Sequence, residues 1–231
     1  PAFPRSTATC EEARRMPLPD PATRNPLVFP NGAHDPATVF LSEVIRHPNI
    51  DVGDWSYYHD QRLPEDYAAT LAPYLFPGAP ERLTIGRFCQ IAQGVQFITA
   101  TANHPMDGIS TYPFAIFDQE RFGTYRSDLP RGRDTVVGHD CWIGREAMLM
   151  PGAELGCGVI VAARAVVRGK VPDYAVISGN PATVIRMRFS PAEIETLRRI
   201  AWWDWAPDRI AACLPLIEAG DVAALAAAAD A

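Results

Sequence analysis

The sequence predicts a mainly β fold: a left-handed parallel β-helix built from hexapeptides, with large loop excursions and a C-terminal helical cap. Three observations carry that expectation. First, residues 137–171 repeat with a period of six, reading VGHDCW, IGREAM, LMPGAE, LGCGVI, VAARAV and VRGKVP. Second, an aliphatic residue opens every unit (Val137, Ile143, Leu149, Leu155, Val161, Val167) and a small one stands fifth (Cys141, Ala147, Ala153, Val159, Ala165, Val171). Third, the same phase recurs upstream. In residues 85–102, Ile85, Ile91 and Phe97 stand first and Cys89, Val95 and Thr101 fifth, and in residues 52–57 Val52 stands first and Ser56 fifth.

A period of six matches neither the 3.6-residue helix nor the alternation of a simple strand. In a three-sided solenoid each hexad lays down one short strand and turns one corner, so about 18 residues complete a coil. The first residue points into a narrow core. The fifth points inward beside the corner, where only a small side chain fits. Glycine is common at the second position (Gly138, Gly144, Gly156), which reads as tolerance of the corner geometry. Residues 137–172 then form two coils.

The rest of the chain is organised around this repeat. Residues 1–49 are proline-rich and are expected to form an extended N-terminal arm. Residues 50–189 form the β-helix domain, and the hexad phase is lost in two excursions, 58–82 and 103–136. Excursions from a repeat commonly carry its function. Residues 190–231 form the helical cap. There Ser190-Pro191-Ala192-Glu193 combines a capping box with a proline at the first helical position. Ile194, Leu197, Ile200 and Ala201 share one helical face. A second helix is expected from Pro207, burying Ile210, Leu214 and Ile217, kinked at Pro215 and stopped by Gly220. Between the two helices, Trp202, Trp203 and Trp205 are expected to seal the open end of the solenoid.

Composition narrows the function. Of 231 residues, 48% are hydrophobic and 21% charged, as in a soluble globular protein. A net charge of −6 without a basic cluster argues against a nucleic-acid partner. No apolar run approaches the ~20 residues that cross a bilayer, so no membrane partner is expected. No apolar stretch follows Arg5, Arg14 and Arg15, so no secretory signal is expected either. The five cysteines contain no CxxC pair and read as free thiols in a reducing cytoplasm. The five histidines (His34, His47, His59, His104, His139) are too far apart for a three-histidine zinc site, so no metal is expected.

Among the histidines, His104 has the sharpest context: Thr101-Ala102-Asn103-His104-Pro105-Met106-Asp107-Gly108, where a coil gives way to the longer excursion. An imidazole there can accept a proton from a substrate hydroxyl at neutral pH. Equally, it can cap a loop carbonyl. Position alone leaves both readings open. His139, third in its unit, reads as a surface imidazole, and His59 is the next candidate base. Cys89 and Cys141 are nucleophiles by type, but their fifth positions make them buried and inert.

Longer motifs add a resemblance. Asn103 to Phe114 (NHPMDGISTYPF) and Ile50 to Asp60 (IDVGDWSYYHD) resemble segments of the xenobiotic acetyltransferases, hexapeptide-repeat enzymes that acetylate chloramphenicol and streptogramin A antibiotics. Trp142-Ile143-Gly144, Ser178-Gly179-Asn180-Pro181-Ala182 and Trp202-Trp203-Asp204-Trp205 match as well. The resemblance implies a homotrimer with sites between neighbouring solenoids, acetyl-CoA as co-substrate, and direct transfer to a small-molecule hydroxyl acceptor with His104 as general base. It implies an acceptor pocket bordered by Tyr57, Tyr58, Asn103, Met106, Tyr112 and Phe114. It also implies a CoA groove along Trp142, Gly144, Ala162, Gly179, Asn180, Pro181 and Ala182. The family usually has a lysine after Gly-Asn-Pro-Ala, where this chain has Thr183; Lys170, Arg168 or Arg186 could supply that cation. Two other readings follow from the same residues: a sugar O-acetyltransferase of the maltose or galactoside type, and a non-catalytic solenoid that only binds or assembles.

Overall fold

A computed structural model describes residues 18–125 and 132–230. Its strands are short, and each lies beside the strand one coil away. The first coil supplies Ile50–Val52 and Tyr57–His59, and the second Leu83–Ile85, Gln90–Ala92 and Gln96–Phe97. The third supplies Thr135–Val137, Trp142–Ile143 and Met148–Leu149. The fourth supplies Glu154–Leu155, Ile160–Val161 and Val166–Val167, and the last Lys170–Val171 and Ala175–Gly179. Successive strands pass from sheet to sheet, and within a coil no two belong to the same sheet. With Thr38–Phe40 and Ala182–Met187 at the two edges of the largest, they form, among the described residues, a seven-stranded, a five-stranded and a three-stranded sheet, the three walls of a solenoid. Pairing between coils is parallel, with Val137 beside Leu155 and Ile143 beside Val161.

The hexad rule explains the core. Val137, Ile143, Leu149, Leu155, Val161 and Val167 are at most 3% exposed, and Cys141, Ala147, Ala153, Val159 and Ala165 are fully buried. Parallel register stacks like on like. Each aliphatic residue rests on the aliphatic residue of the coil below, and the small residues form their own columns beside the corners.

Three features differ from the sequence expectation. Val171 is not a fifth-position residue: it pairs with Leu155, sixteen residues away, and Ile177 pairs with Val161 at the same spacing. The unit that begins at Val167 therefore has four residues, its corner turned at Gly169 with φ 69°. A further hexad, Val171 to Val176, follows, with Ala175 buried in the fifth place. Thr101 also leaves its expected place. The chain quits the coil after Phe97 and forms a 3-10 turn, Ala100–Ala102, in which Thr101 is only half-buried.

The third difference concerns the glycines. The left-handed backbone falls at the fourth position of the hexad, and side-chain-bearing residues mostly hold it: Trp55, Phe88, Asp140, Glu146, Arg164 and Tyr174. Each such residue costs about 1–2 kcal/mol. Hydrogen bonds between stacked corners offset the cost, as from Asp140 N to Arg87 O (2.9 Å) and from Tyr174 N to Cys157 O (2.7 Å). The second-position glycines serve a different need, which is close approach. Gly53, Gly86, Gly138 and Gly156 form a column, and a Cβ on Gly138 would stand 2.6 Å from the Gly156 carbonyl carbon.

Residues 38–45 do more than run extended. Thr38–Phe40 pairs antiparallel with Tyr57–His59 at the edge of the seven-stranded sheet. Val39, Leu41 and Ile45 are buried in the main core. The first excursion carries the short helix Tyr67–Leu71, capped by Asp66 Oδ1 accepting from Ala69 N (2.9 Å). The second carries the turns Phe114–Phe117 and Phe122–Tyr125.

The described chain divides into two units, Pro21–Arg186 and one that contains the helices after Met187. In the second unit the helix Pro191–Ile200 starts at the expected capping box, with both Ser190–Glu193 hydrogen bonds formed. The helix Pro207–Ala219 contains Pro215 and stops at left-handed Gly220. Its buried stripe is Ile210, Cys213 and Leu216, while Leu214 and Ile217 are half-exposed. The alanine-rich tail forms a third helix, Val222–Asp230, held by an Arg199–Asp230 ion pair of 3.0 Å. Trp205 Nε1 donates to Ile200 O (3.1 Å), and the Arg209 guanidinium lies 4.2 Å above the Trp205 ring. Cys89, Cys141 and Cys157 are free thiols, but Cys213 is disulfide-bonded, which corrects the expectation of free thiols throughout. Cys10 lies outside the described residues.

The glycine column can be tested directly. Gly138→Ala is expected to lower stability by about 1–3 kcal/mol, because the backbone of the adjacent coil cannot give way. Thermal melting of the variant beside the parent checks it; an unchanged Tm would mean that the coils are not closely stacked there.

Candidate active site

His104 leaves the solenoid directly after the turn Ala100–Ala102. Local polar contacts hold that turn. Thr101 N donates to Glu81 Oε1 (3.2 Å), the Thr99 and Thr101 hydroxyls lie 2.8 Å apart, and the Thr101 hydroxyl donates to the Tyr74 carbonyl. His104 itself is exposed. Its Nδ1 lies 3.0 Å from the Thr111 carbonyl oxygen. A carbonyl only accepts, so this bond places the proton on Nδ1 and leaves the Nε2 lone pair available. The two readings that position left open are therefore compatible: the contact that caps the loop also sets the tautomer that a base would need. Tyr125 meets the imidazole edge-to-face at 6.4 Å, and its hydroxyl lies 3.4 Å from the Asn103 carbonyl.

The same loop displays an apolar surface. Tyr112 stacks on Phe117 at 5.5 Å and touches Phe114 at 4.7 Å. Met106, Tyr112, Phe114 and Phe117 are each more than half exposed. Asn103, His104, Met106, Tyr112 and Phe114 thus share one loop, with Tyr112 joined to His104 through the neighbouring Thr111 carbonyl.

The early tyrosines separate. Tyr57 is half-buried, and burial pushes its phenol up. Tyr58 is fully buried and cannot border an acceptor pocket. It pairs with Ile91, so it is a first-position residue pointing inward. Its hydroxyl donates to Asp60 Oδ2 (2.8 Å) and accepts from Gly94 N (3.3 Å). Burial, then the Asp60 hydrogen bond, push that phenol up to about 12. Asp60 is also fully buried. Burial alone would raise its carboxyl, but hydrogen bonds from Arg62 Nε (3.0 Å), Arg62 Nη2 (2.8 Å), Arg62 N (2.8 Å) and Tyr58 outweigh it and hold the group at about 2. The segment 57–62 is thus a rigid strut with Tyr57 on its outer side.

His59 belongs to a different cluster. Its Nδ1 lies 2.9 Å from the Thr38 hydroxyl, which donates to Asp35 Oδ2 at 2.6 Å. That hydroxyl, more than any other contact, lowers the Asp35 carboxyl from its usual value. His139 Nδ1 accepts from Arg87 N (3.0 Å), a structural role at the corner of a coil.

The expected groove residues gather on the seven-stranded sheet. Trp142, Ile160 and Val176 are in register, which brings Gly144 beside Ala162. Trp142 is 53% exposed. Gly144 approaches the next coil so closely that a Cβ would stand 2.7 Å from Ala163 N. Gly179 has φ 100° and precedes a cis Asn180–Pro181 bond, after which Ala182 opens the edge strand Ala182–Met187. Lys170 pairs with Glu154 at 2.8 Å. A separate polar cleft of about 530 Å³ is lined by Arg62, Ala69, Thr70, Gln93, Gly94, Gln96, Arg145 and Glu146, none of them an expected site residue. No group of three or more His, Cys, Asp or Glu residues that could hold a metal occurs among the described residues. No helix among them is long and apolar enough to cross a membrane.

Sequence comparison places relatives beside this geometry. The chain is 39% identical to a chloramphenicol acetyltransferase from Escherichia coli over 189 residues, covering 80% of this chain and 90% of the relative. It is 42% identical to virginiamycin A acetyltransferase from Staphylococcus aureus over 185 residues, covering 79% of this chain and 83% of the relative. A probable macrolide acetyltransferase from Lysinibacillus sphaericus is 47% identical over 132 residues, 56% of this chain and 73% of that one. Among solved structures, a maltose O-acetyltransferase from Clostridium difficile 630 superposes with a TM-score of 0.40 at 23% identity, over 62% of this chain and 61% of that one. No protein-family model matches the chain.

The buried Asp60 pair has a pH signature. A carboxyl held at about 2 in the fold and near its usual value of 3.8 when unfolded stabilises the protein above pH ~4. That contribution, about 2 kcal/mol, is lost as the pH falls from about 4 towards 2. Denaturant unfolding across this window is expected to show the loss, and Asp60→Asn is expected to remove this part of the pH dependence while lowering stability at neutral pH. Parallel acid profiles for parent and variant would refute the assignment.

Proposed function

The chain belongs to the xenobiotic acetyltransferases, the family of the chloramphenicol and virginiamycin A acetyltransferases, and from this we propose that it moves an acetyl group from acetyl-CoA to a hydroxyl of a bulky, poorly charged acceptor. It is an acyltransferase. Acceptors of the chloramphenicol or streptogramin A kind suit the exposed aromatic loop. The observation that carries the reading is the 3.0 Å contact between His104 Nδ1 and the Thr111 carbonyl, which leaves Nε2 as a base.

Transfer is direct. His104 Nε2 takes the proton of the acceptor hydroxyl as its oxygen attacks the thioester carbonyl. The tetrahedral intermediate places negative charge on the former carbonyl oxygen, which backbone amides beside the site steady. Collapse expels the CoA thiolate, and the proton held by His104 passes to it. No acyl-enzyme is required, and the buried Cys89 and Cys141 are inaccessible to a thioester. Tyr57, Asn103, Met106, Tyr112 and Phe114 line the acceptor side, with Tyr58 supporting Tyr57 from beneath. Trp142, Gly144, Ala162 and the Gly179–Ala182 turn line the CoA side. Because Lys170 is engaged by Glu154, Arg168 or Arg186 is the better cation for a CoA phosphate.

The assembly completes this reading. We take the solenoid to be left-handed and the functional unit to be a homotrimer, with the loop 103–136 of one subunit facing the sheet of the next. We divide the subunit into an arm 1–49, whose residues 38–45 pack on the solenoid, the solenoid 50–189 and the cap 190–231. Dependence on acetyl-CoA favours a cytoplasmic location.

His104→Ala is expected to lower kcat by about 10²–10⁴ while leaving Tm and assembly unchanged. The assay is acetyl-CoA-dependent thiol release with chloramphenicol, a streptogramin A compound and maltose in parallel. Parental turnover in the variant with an acceptor that is genuinely used would move the base elsewhere, with His59 next in line. A fully active monomer in sedimentation equilibrium would refute the shared site.

A further inference from the structure

Glu81 lies two residues before Leu83–Ile85, the strand that opens the second coil, and it is only 2% exposed. Its main chain is pinned on both sides. Asn49 Nδ2 donates to the Glu81 carbonyl (3.0 Å), and Arg82 N donates to Asp134 Oδ1 (2.9 Å). The Arg82 carbonyl accepts from Thr135 N at 2.9 Å. The Glu81 side chain therefore lies between the two stems of the excursion 103–136, one leaving at Thr99 to Asn103 and the other returning at Gly132 to Thr135.

Its two oxygens have unequal surroundings. Oε1 accepts from Thr101 N at 3.2 Å, inside the turn that ends at Asn103. Oε2 is buried and has no hydrogen-bond partner among the described residues. It faces the returning stem: a Cβ on Gly132 would stand 3.0 Å from Oε2 and 2.7 Å from Ala100 Cβ. A buried carboxylate oxygen without a donor is a net loss for folding, so packing stability does not explain a glutamate here. What the carboxylate does fix is the Thr101 N–H, the link between the solenoid and the turn that launches His104.

We propose that Glu81 is the positioning residue of the reaction. Through Thr101 it sets the turn from which His104 departs. It thereby keeps the imidazole where Nδ1 meets the Thr111 carbonyl and Nε2 faces the acceptor hydroxyl. The assignment rests on reading His104 as the base.

Two substitutions separate positioning from packing. Glu81→Met fills a similar volume, offers no acceptor and removes the unpartnered oxygen. Glu81→Gln keeps an acceptor oxygen for Thr101 N. The Met variant is expected to melt no lower than the parent, to keep its KM for acetyl-CoA, and to lose about 10- to 100-fold in kcat. Because its amide oxygen still accepts from Thr101 N, the Gln variant is expected to keep kcat within about threefold. A second readout does not depend on turnover: ring-nitrogen NMR of isotope-labelled histidine, with His104 assigned by its absence in His104→Ala. Parent and Gln variant should show His104 as a single Nδ1–H tautomer, and the Met variant a mixture. A Met variant that fails to fold, that turns over like the parent, or that keeps one His104 tautomer would overturn the proposal. So would a Gln variant as impaired as the Met variant. If His104→Ala itself proves fully active, the base reading fails, and the tautomer readout alone decides whether Glu81 governs the imidazole.

Discussion

Neighbouring coils of the solenoid lie one strand spacing apart, about 4.8 Å, and in register. Most of the structure follows from that distance. Two backbones so close leave no room for a Cβ wherever a corner turns towards the adjacent coil, hence the column Gly53, Gly86, Gly138 and Gly156. Register places each core residue on its counterpart, so a coil can exchange Ile for Val or Leu but cannot shift by one residue without turning its core outward. The strained fourth-position corners persist for the same reason. Each is held by a hydrogen bond to the corner of a neighbouring coil, so no corner can relax alone.

The regularity also makes the excursions the natural place for the proposed chemistry. A surface of repeating two- and three-residue strands offers little variety, and the spacing forbids insertion of bulk. The loop 103–136 escapes both limits. It brings an imidazole, the carbonyl that orients it and a set of exposed aromatic rings into one segment. The solenoid contributes a fixed platform, including the Tyr58–Asp60–Arg62 strut beneath Tyr57. Mobile or variable recognition elements on a rigid frame are a common division of labour in binding proteins.

The core was legible in the sequence because the period is unusual and each position has a steric reason. Val137 to Val167 fall where the hexad places them. The last coil was harder to read, because one four-residue unit at Gly169 shifts the phase and makes Val171 look like a fifth-position residue. The inward direction of Tyr58 was legible from its spacing to Val52, yet its place beside Tyr57 in a motif suggested a pocket. The left-handed corners were hidden because Trp, Phe, Asp, Glu, Arg and Tyr occupy them and none signals that conformation. At the site, the histidine was visible but its orientation was not. Backbone carbonyls such as that of Thr111 carry no side-chain signature, and their reach depends on how the loop folds back.

The spacing of the excursions has a kinetic meaning. Val137 meets Leu155 across 18 residues, and Ile143 meets Val161 across the same distance. Val52 meets Ile85 across 33 residues, and Ile85 meets Val137 across 52. Closing the longest of these loops costs about 1 kcal/mol more chain entropy than closing the shortest. The coils between Val137 and Ile177 thus close on the nearest contacts, while the two coils ahead of them carry the larger closure cost. In a chain made from the N-terminus, the turn that launches His104 can therefore meet Tyr74 and Glu81 before the coils of lowest closure cost, Val137 to Ile177, have been made.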